Sequence, residues 1–168
     1  TVSGAQSYSW NSTPSSTNAL LGVSPSVTTV YLATGTDSNN CSVTASATVV
    51  VNALPVVVIS GTNVTCGGSA VTLTASGANT YTWNTSATSS TIVVAPQQTS
   101  TYSVIGTNGN GCVNATVYTL NVNALPTVSI SGNSPICQGH AGFLTASGAD
   151  SYTWSNGSTA SLTPVTPT

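Results

Sequence analysis

Short runs in which Val, Ile, Leu, Tyr or Trp alternate with Thr or Ser follow one another along the chain, separated by clusters of Gly, Asn, Ser and Pro. A two-residue period belongs to half-buried strands, and no stretch sustains the 3.6-residue period of a helix. The pattern therefore predicts an all-β chain. Between Pro55 and Leu125 it predicts strands near Val56–Ser60, Ala70–Ser76, Thr80–Asn84, Thr91–Ala95, Thr101–Gly106 and Asn114–Val122. The inward set is Val71 and Leu73, Tyr81 and Trp83, Ile92 and Val94, then Tyr102 and Val104; Thr and Ser face the other way, where β-branched Thr suits a solvated pleat. Such a strand set fits a small β-sandwich. Gly67-Gly68, Gly77-Ala78-Asn79 and Asn108-Gly109-Asn110-Gly111 supply the positive-φ positions of tight reversals. With no helix behind them and no Lys beside them, these glycines are not a phosphate cradle.

The pattern repeats. Val-Asn-Ala-Leu-Pro at 51–55 returns at 122–126, and the same offset pairs Cys41 with Cys112, Cys66 with Cys137, Tyr31 with Tyr102, Tyr81 with Tyr152 and Trp83 with Trp154. Ala-Ser-Gly-Ala at 75–78 recurs at 146–149, and Ser3-Gly4-Ala5 holds the same place ahead of Tyr8 and Trp10. Coincidence of so many rare residue types marks tandem copies of one supersecondary unit. The spacing from Trp to the following Pro is the same in the two later copies, Trp83 to Pro96 and Trp154 to Pro167. From Trp10 to Pro25 it is longer by two, which places an insertion within Asn11–Asn18. The expected organisation is the C-terminal part of one copy at 1–54, a complete copy at 55–125 and the N-terminal part of a third at 126–168. Thr1 and Thr168 correspond to positions inside the middle copy, Thr74 and Gln97. A window on a longer tandem array is therefore preferred over completion of each partial copy by a neighbouring chain, which would duplicate the 74–97 segment.

Composition narrows the function. The chain has no Lys or Arg, two acidic residues (Asp37 and Asp150) and a formal charge of −2, against the usual roughly 25% of charged residues. Phosphate neutralisation and anion capture need cations, so nucleic-acid binding is excluded and lysine isopeptide crosslinks are impossible. No apolar run approaches the roughly 20 residues that span a bilayer, so no membrane insertion is expected within these residues. Weakly charged strands with hydroxyl-rich faces associate with little repulsion, which suits lateral packing of copies in a fibre.

Catalytic chemistry finds no footing. His140 is the single histidine, Asp37 and Asp150 fall in different copies, and no Glu or Lys supplies an acid or base. Both aspartates sit in turns beside Ser, where an Asx-turn or a solvated side chain is expected, and a calcium cage would need more carboxylates. The cysteines lack CxxC or paired-histidine spacing, so no metal site and no cofactor are expected. Instead a sandwich is expected to bring Cys66 and Cys112 together across its end. Such a disulfide closes a loop of about 46 residues, contributes about 4 kcal/mol and implies an oxidising, extracellular compartment. Cys41 and Cys137 would find partners outside these residues, or in a neighbouring chain. Sequons at Asn11, Asn40, Asn63, Asn84, Asn114 and Asn156 are glycosylation candidates, although an Asn-, Ser- and Thr-rich chain also generates them by chance. Trp10, Trp83 and Trp154 read as core, with sugar stacking as the rival role.

Cys137-Gln138-Gly139, Leu73 to Ala78, Tyr81 to Trp83, Tyr102 to Val104, Gly106 to Cys112 and the closing Val-Asn-Ala-Leu-Pro resemble the immunoglobulin-like and polycystic-kidney-disease-like tandem domains of large secreted Bacteroidota surface proteins. The resemblance covers the whole chain and implies tandem immunoglobulin-like β-sandwiches of about 71 residues. It also implies export to the cell surface and a role in adhesins or filaments. Cys112 lies ten residues beyond Tyr102 rather than two, so the immunoglobulin disulfide and tyrosine corner do not carry over. The expectation is a non-catalytic segment of a long extracellular filament or cell-surface adhesin, partnered by copies of itself. The alternatives are a carbohydrate-binding module and a spacer array of a secreted hydrolase.

Overall fold

A computed structural model describes residues 1–12 and 15–166. The described residues form strands and no helix, as the two-residue period predicts. In chain order they are β1 (Ser7–Trp10), β2 (Thr29–Thr36), β3 (Ser42–Val49), β4 (Val58–Ser60), β5 (Val64–Cys66), β6 (Val71–Ser76) and β7 (Thr80–Trp83). They continue with β8 (Thr91–Val94), β9 (Ser100–Thr107), β10 (Val113–Asn123), β11 (Ser129–Gly132), β12 (Gly142–Ser147) and β13 (Leu162–Val165). Four sheets result, ordered β1-β2-β3, β5-β10-β9-β7, β4-β6-β8 and β11-β12-β13. The short β5, absent from the predicted set, runs parallel to the end of β10, with Val64 opposite Asn121 and Cys66 opposite Asn123.

The chain divides into two compact units. The first comprises Thr1–Ile59, Thr74–Ser90 and Ser103–Val117. In it Trp83 and Val104 are sealed from solvent, with Val57, Ile59 and Ala75 also buried. Gly77 ends β6 at φ +91°, and a Cβ there would drive into the carbonyl oxygen of Val56, so only glycine permits this close crossing. On the next turn the Tyr81 hydroxyl accepts from the Ala78 amide at 3.0 Å and donates to the Ala78 carbonyl at 2.9 Å, satisfying a part-buried group where an orphan would be costly. The second unit comprises Ser60–Leu73, Thr91–Tyr102 and Tyr118–Thr168. Its core holds Leu73 and Leu120, both fully buried, with Val71, Ile92, Tyr102, Ala146 and Thr163. Burying a Leu side chain of this kind stabilises by about 2–3 kcal/mol.

Alternation selects the expected inward faces: β6 buries Val71, Leu73 and Ala75 while its Thr and Ser residues face outward, and β9 buries Tyr102 and Val104. Tyr81 and Val94, expected inside, are only half-buried.

Local bonds recur at equivalent positions. The hydroxyls of Tyr8, Tyr81 and Tyr152 each accept from the amide three residues earlier, Ala5, Ala78 and Ala149, all at 3.0 Å. Val2, Ala75 and Ala146 donate to the carbonyls of Ala19, Ser90 and Ser161. Registers coincide too, Tyr8 pairing with Gly35 as Tyr81 pairs with Gly106. The indole N–H of Trp83 reaches the carbonyl six residues on, Ser89, and that of Trp154 reaches Ala160, whereas Trp10 reaches eight on, to Asn18. The Trp10 amide likewise bonds Ser16, while those of Trp83 and Trp154 bond Ala87 and Ser158. The two additional residues expected within Asn11–Asn18 therefore correspond to the wider spacing between Trp10 and Ser16, a span that includes 13 and 14, which lie outside the described residues.

Candidate functional site

Several side-chain bonds between positions distant in sequence gather on the segment 51–55, within the first unit. Asn108 Nδ2 donates to the Ala53 carbonyl at 2.9 Å, and Asn114 Nδ2 donates to the Pro55 carbonyl at 3.0 Å. The Cys112 thiol lies 3.8 Å from the Asn52 carbonyl, and the Val51 amide donates to the Thr28 hydroxyl at 3.0 Å. Pro55 is buried, and its ring fixes φ at the end of the first Val-Asn-Ala-Leu-Pro. Four consecutive or near-consecutive backbone groups are thus approached by side chains, the three bonds from N–H donors contributing about 1 kcal/mol each and the thiol contact less.

The loop that carries two of these clamps is built for the purpose. Asn108 Oδ1 accepts from the amides of Asn110 and Cys112, both at 3.0 Å, which closes an Asx-turn and leaves Nδ2 free to reach Ala53. Gly111 sits at φ +78° in the same turn. The earlier loop repeats this with different residues: Asp37 Oδ1 accepts from Asn39 at 2.8 Å and from Cys41 at 2.9 Å, and Asn40 takes the left-handed position at φ +60°. The expected Asx-turn at Asp37 is therefore present. A carboxylate cannot donate, so Asp37 supplies the turn without the Nδ2 clamp.

The second junction, 122–126, is dressed differently. Val122 donates to the Thr99 hydroxyl at 3.1 Å, as Val51 does to Thr28, and the Asn123 carbonyl accepts from the Gly67 amide at 3.0 Å. Pro126, unlike Pro55, is exposed.

The predicted Cys66–Cys112 disulfide is not formed. All four cysteines are free thiols. Cys66 lies opposite Asn123, the last residue of β10, whereas Cys112 immediately precedes Val113, the first. An extended strand of that length separates its ends by roughly 33 Å, and a disulfide requires Cα atoms within about 7 Å. The expectation failed because β5 attaches parallel to the far end of β10, which carries Cys66 away from the turn that holds Cys112.

Other candidates are scattered. Among the described residues no three His, Cys, Asp or Glu side chains gather as a metal site. His140 is exposed, with Nδ1 3.4 Å from the Gln138 carbonyl, and Asp150 is exposed in its turn. Trp83 is 2% exposed, while Trp10 and Trp154 are half-buried with their indole N–H groups already engaged. Of the sequon asparagines, Asn114 and Asn156 commit Nδ2 to internal bonds, Asn156 to the Thr163 hydroxyl. Asn11 and Asn84 use Oδ1 to accept from the amides of Leu32 and Ser103. Asn40 and Asn63 are exposed. The clamp role of Asn108 and Asn114 escaped the sequence reading because their targets lie 55 and 59 residues away. The substitution of Asn108 for the otherwise equivalent Asp37 was the one available signal. No protein-family model matches the chain, and no curated protein aligns with it.

Proposed function

We propose that this chain is a structural, non-catalytic segment of a long extracellular filament or cell-surface adhesin, assembled from tandem immunoglobulin-like β-sandwich copies. The observation that carries the reading is the clamp on 52–55, where Asn108, Cys112 and Asn114 of one copy grip the chain arriving from the copy before it. A hinge that must flex leaves its backbone to water, whereas a segment that transmits length or load ties its backbone down. The recurrence of the Tyr, Trp and Val bonds at equivalent positions supports a common fold for the copies, and the scarcity of charge supports self-association of copies over capture of charged ligands.

A carbohydrate-binding role draws less support. Trp83 is sealed in the core, and the half-buried Trp10 and Trp154 spend their polar edges on internal carbonyls. Small-angle scattering on chains that carry one, two and three full copies tests the proposal. A filament segment lengthens in equal steps with each added copy; a maximum dimension that saturates would refute it.

A further inference from the structure

Each junction asparagine has a cysteine beside it, but not the same cysteine. At the second junction Cys66 lies opposite Asn123 in the parallel β5/β10 ladder, and the next residue, Gly67, donates its amide to the Asn123 carbonyl at 3.0 Å. At the first junction it is the Cys112 thiol that approaches the Asn52 carbonyl, at 3.8 Å. Asn52 and Asn123 are the same residue of the recurring Val-Asn-Ala-Leu-Pro. Each junction therefore displays one half of a common arrangement, in which one carbonyl oxygen is approached by the Cys66-position strand on one side and the Cys112-position thiol on the other. A sulfur and an amide nitrogen that approach one oxygen at 3.8 and 3.0 Å lie less than about 7 Å from each other, which brings the Cys112-position thiol beside the backbone that carries the Cys66-position thiol.

We propose that the cysteines link consecutive copies: the thiol at the Cys112 position of one copy forms a disulfide with the thiol at the Cys66 position of the copy before it. The inference rests on the tandem reading above. It accounts for the placement of Cys66 and Cys112 at opposite ends of β10, since each faces a different junction. In the reaction two thiols give up two protons and two electrons to an external disulfide oxidant, which departs as two thiols, and one S–S bond forms across the junction. Such a bond would fasten the arriving chain beside the Asn108 and Asn114 clamps.

The test extends the full chain after Thr168 with a second copy of residues 98–125, which completes the third copy and adds one cysteine at the Cys112 position. The product is equilibrated in a glutathione redox buffer, digested without reduction and mapped by mass spectrometry. The expected map links Cys66 to the added copy of Cys112 and leaves Cys41, Cys112 and Cys137 free; Cys66→Ser loses the linked peptide. Hydrogen exchange over 128–132 reports separately whether the third copy has closed. If that segment gains protection yet Cys66 stays free, or pairs with Cys112, the disulfide inference is overturned and the tandem reading stands. If the segment gains no protection, the tandem reading fails and takes the inference with it.

Discussion

Asn108→Asp isolates the junction clamp from the turn that presents it. The variant keeps an Oδ1 acceptor for the Asn110 and Cys112 amides, an arrangement that the equivalent Asp37 already sustains with Asn39 and Cys41. It removes the Nδ2 donor and points a second oxygen at the Ala53 carbonyl, 2.9 Å from the present nitrogen. Loss of an exposed neutral hydrogen bond costs about 1 kcal/mol, so the open form of 52–54 should rise about fivefold in population. Native-state proteolysis by elastase after Ala53 follows that population when opening is fast relative to cleavage, and its rate should rise by the same factor. Cleavage at the parent rate would show that the Asn108–Ala53 bond does not hold the junction. Loss of exchange protection at the Asn110 and Cys112 amides would show that the turn itself had failed, contrary to the comparison with Asp37.

Two further substitutions follow from equivalent positions in different surroundings. Gly111→Asn should cost less than about 1 kcal/mol, because Asn40 holds the same turn position at φ +60°, whereas Gly77→Ala should cost about 2 kcal/mol or more through collision with the Val56 carbonyl; urea melts compare them. Ile59 is 9% exposed and its equivalent Ile130 is 61% exposed, so Ile59→Ala should cost about 2–4 kcal/mol and Ile130→Ala within about 0.5 kcal/mol, read by hydrogen exchange in the strands that carry them. Produced in a eukaryotic secretory pathway, the chain should carry glycans at Asn40 or Asn63 in preference to Asn114 and Asn156, whose amide nitrogens are engaged, and glycopeptide mapping measures the order.

Strands and inward faces were legible because alternation is a local code: Val71-Thr72-Leu73-Thr74-Ala75 announces its buried side in five residues, and Gly68, Gly77 and Gly111 announce left-handed turns. The repeat offset also located the insertion, which the shifted Trp10 bonds narrow to the stretch before Ser16. What was not legible depends on where strands attach. Val64-Thr65-Cys66 is too short to show a period, and nothing in three residues says that they will lie parallel to Asn121-Val122-Asn123 at the end of β10 rather than beside its start. That single attachment decides which cysteines can meet. The clamp was hidden for a related reason, since Asn108 and Asn114 look like ordinary turn and strand residues until the backbone of 53–55 is brought beside them.

The central claim is that a copy grips the chain that enters it, and backbone ¹⁵N relaxation on the intact chain tests it by comparing two nearly identical segments. The carbonyls of Asn52, Ala53 and Pro55, which flank Leu54, are approached by Cys112, Asn108 and Asn114, while Ala124 and Leu125 precede an exposed Pro126. The account predicts order parameters of about 0.85 for 52–54, the level of rigid backbone, and clearly lower values for 124–125. Equal mobility of the two segments would contradict it.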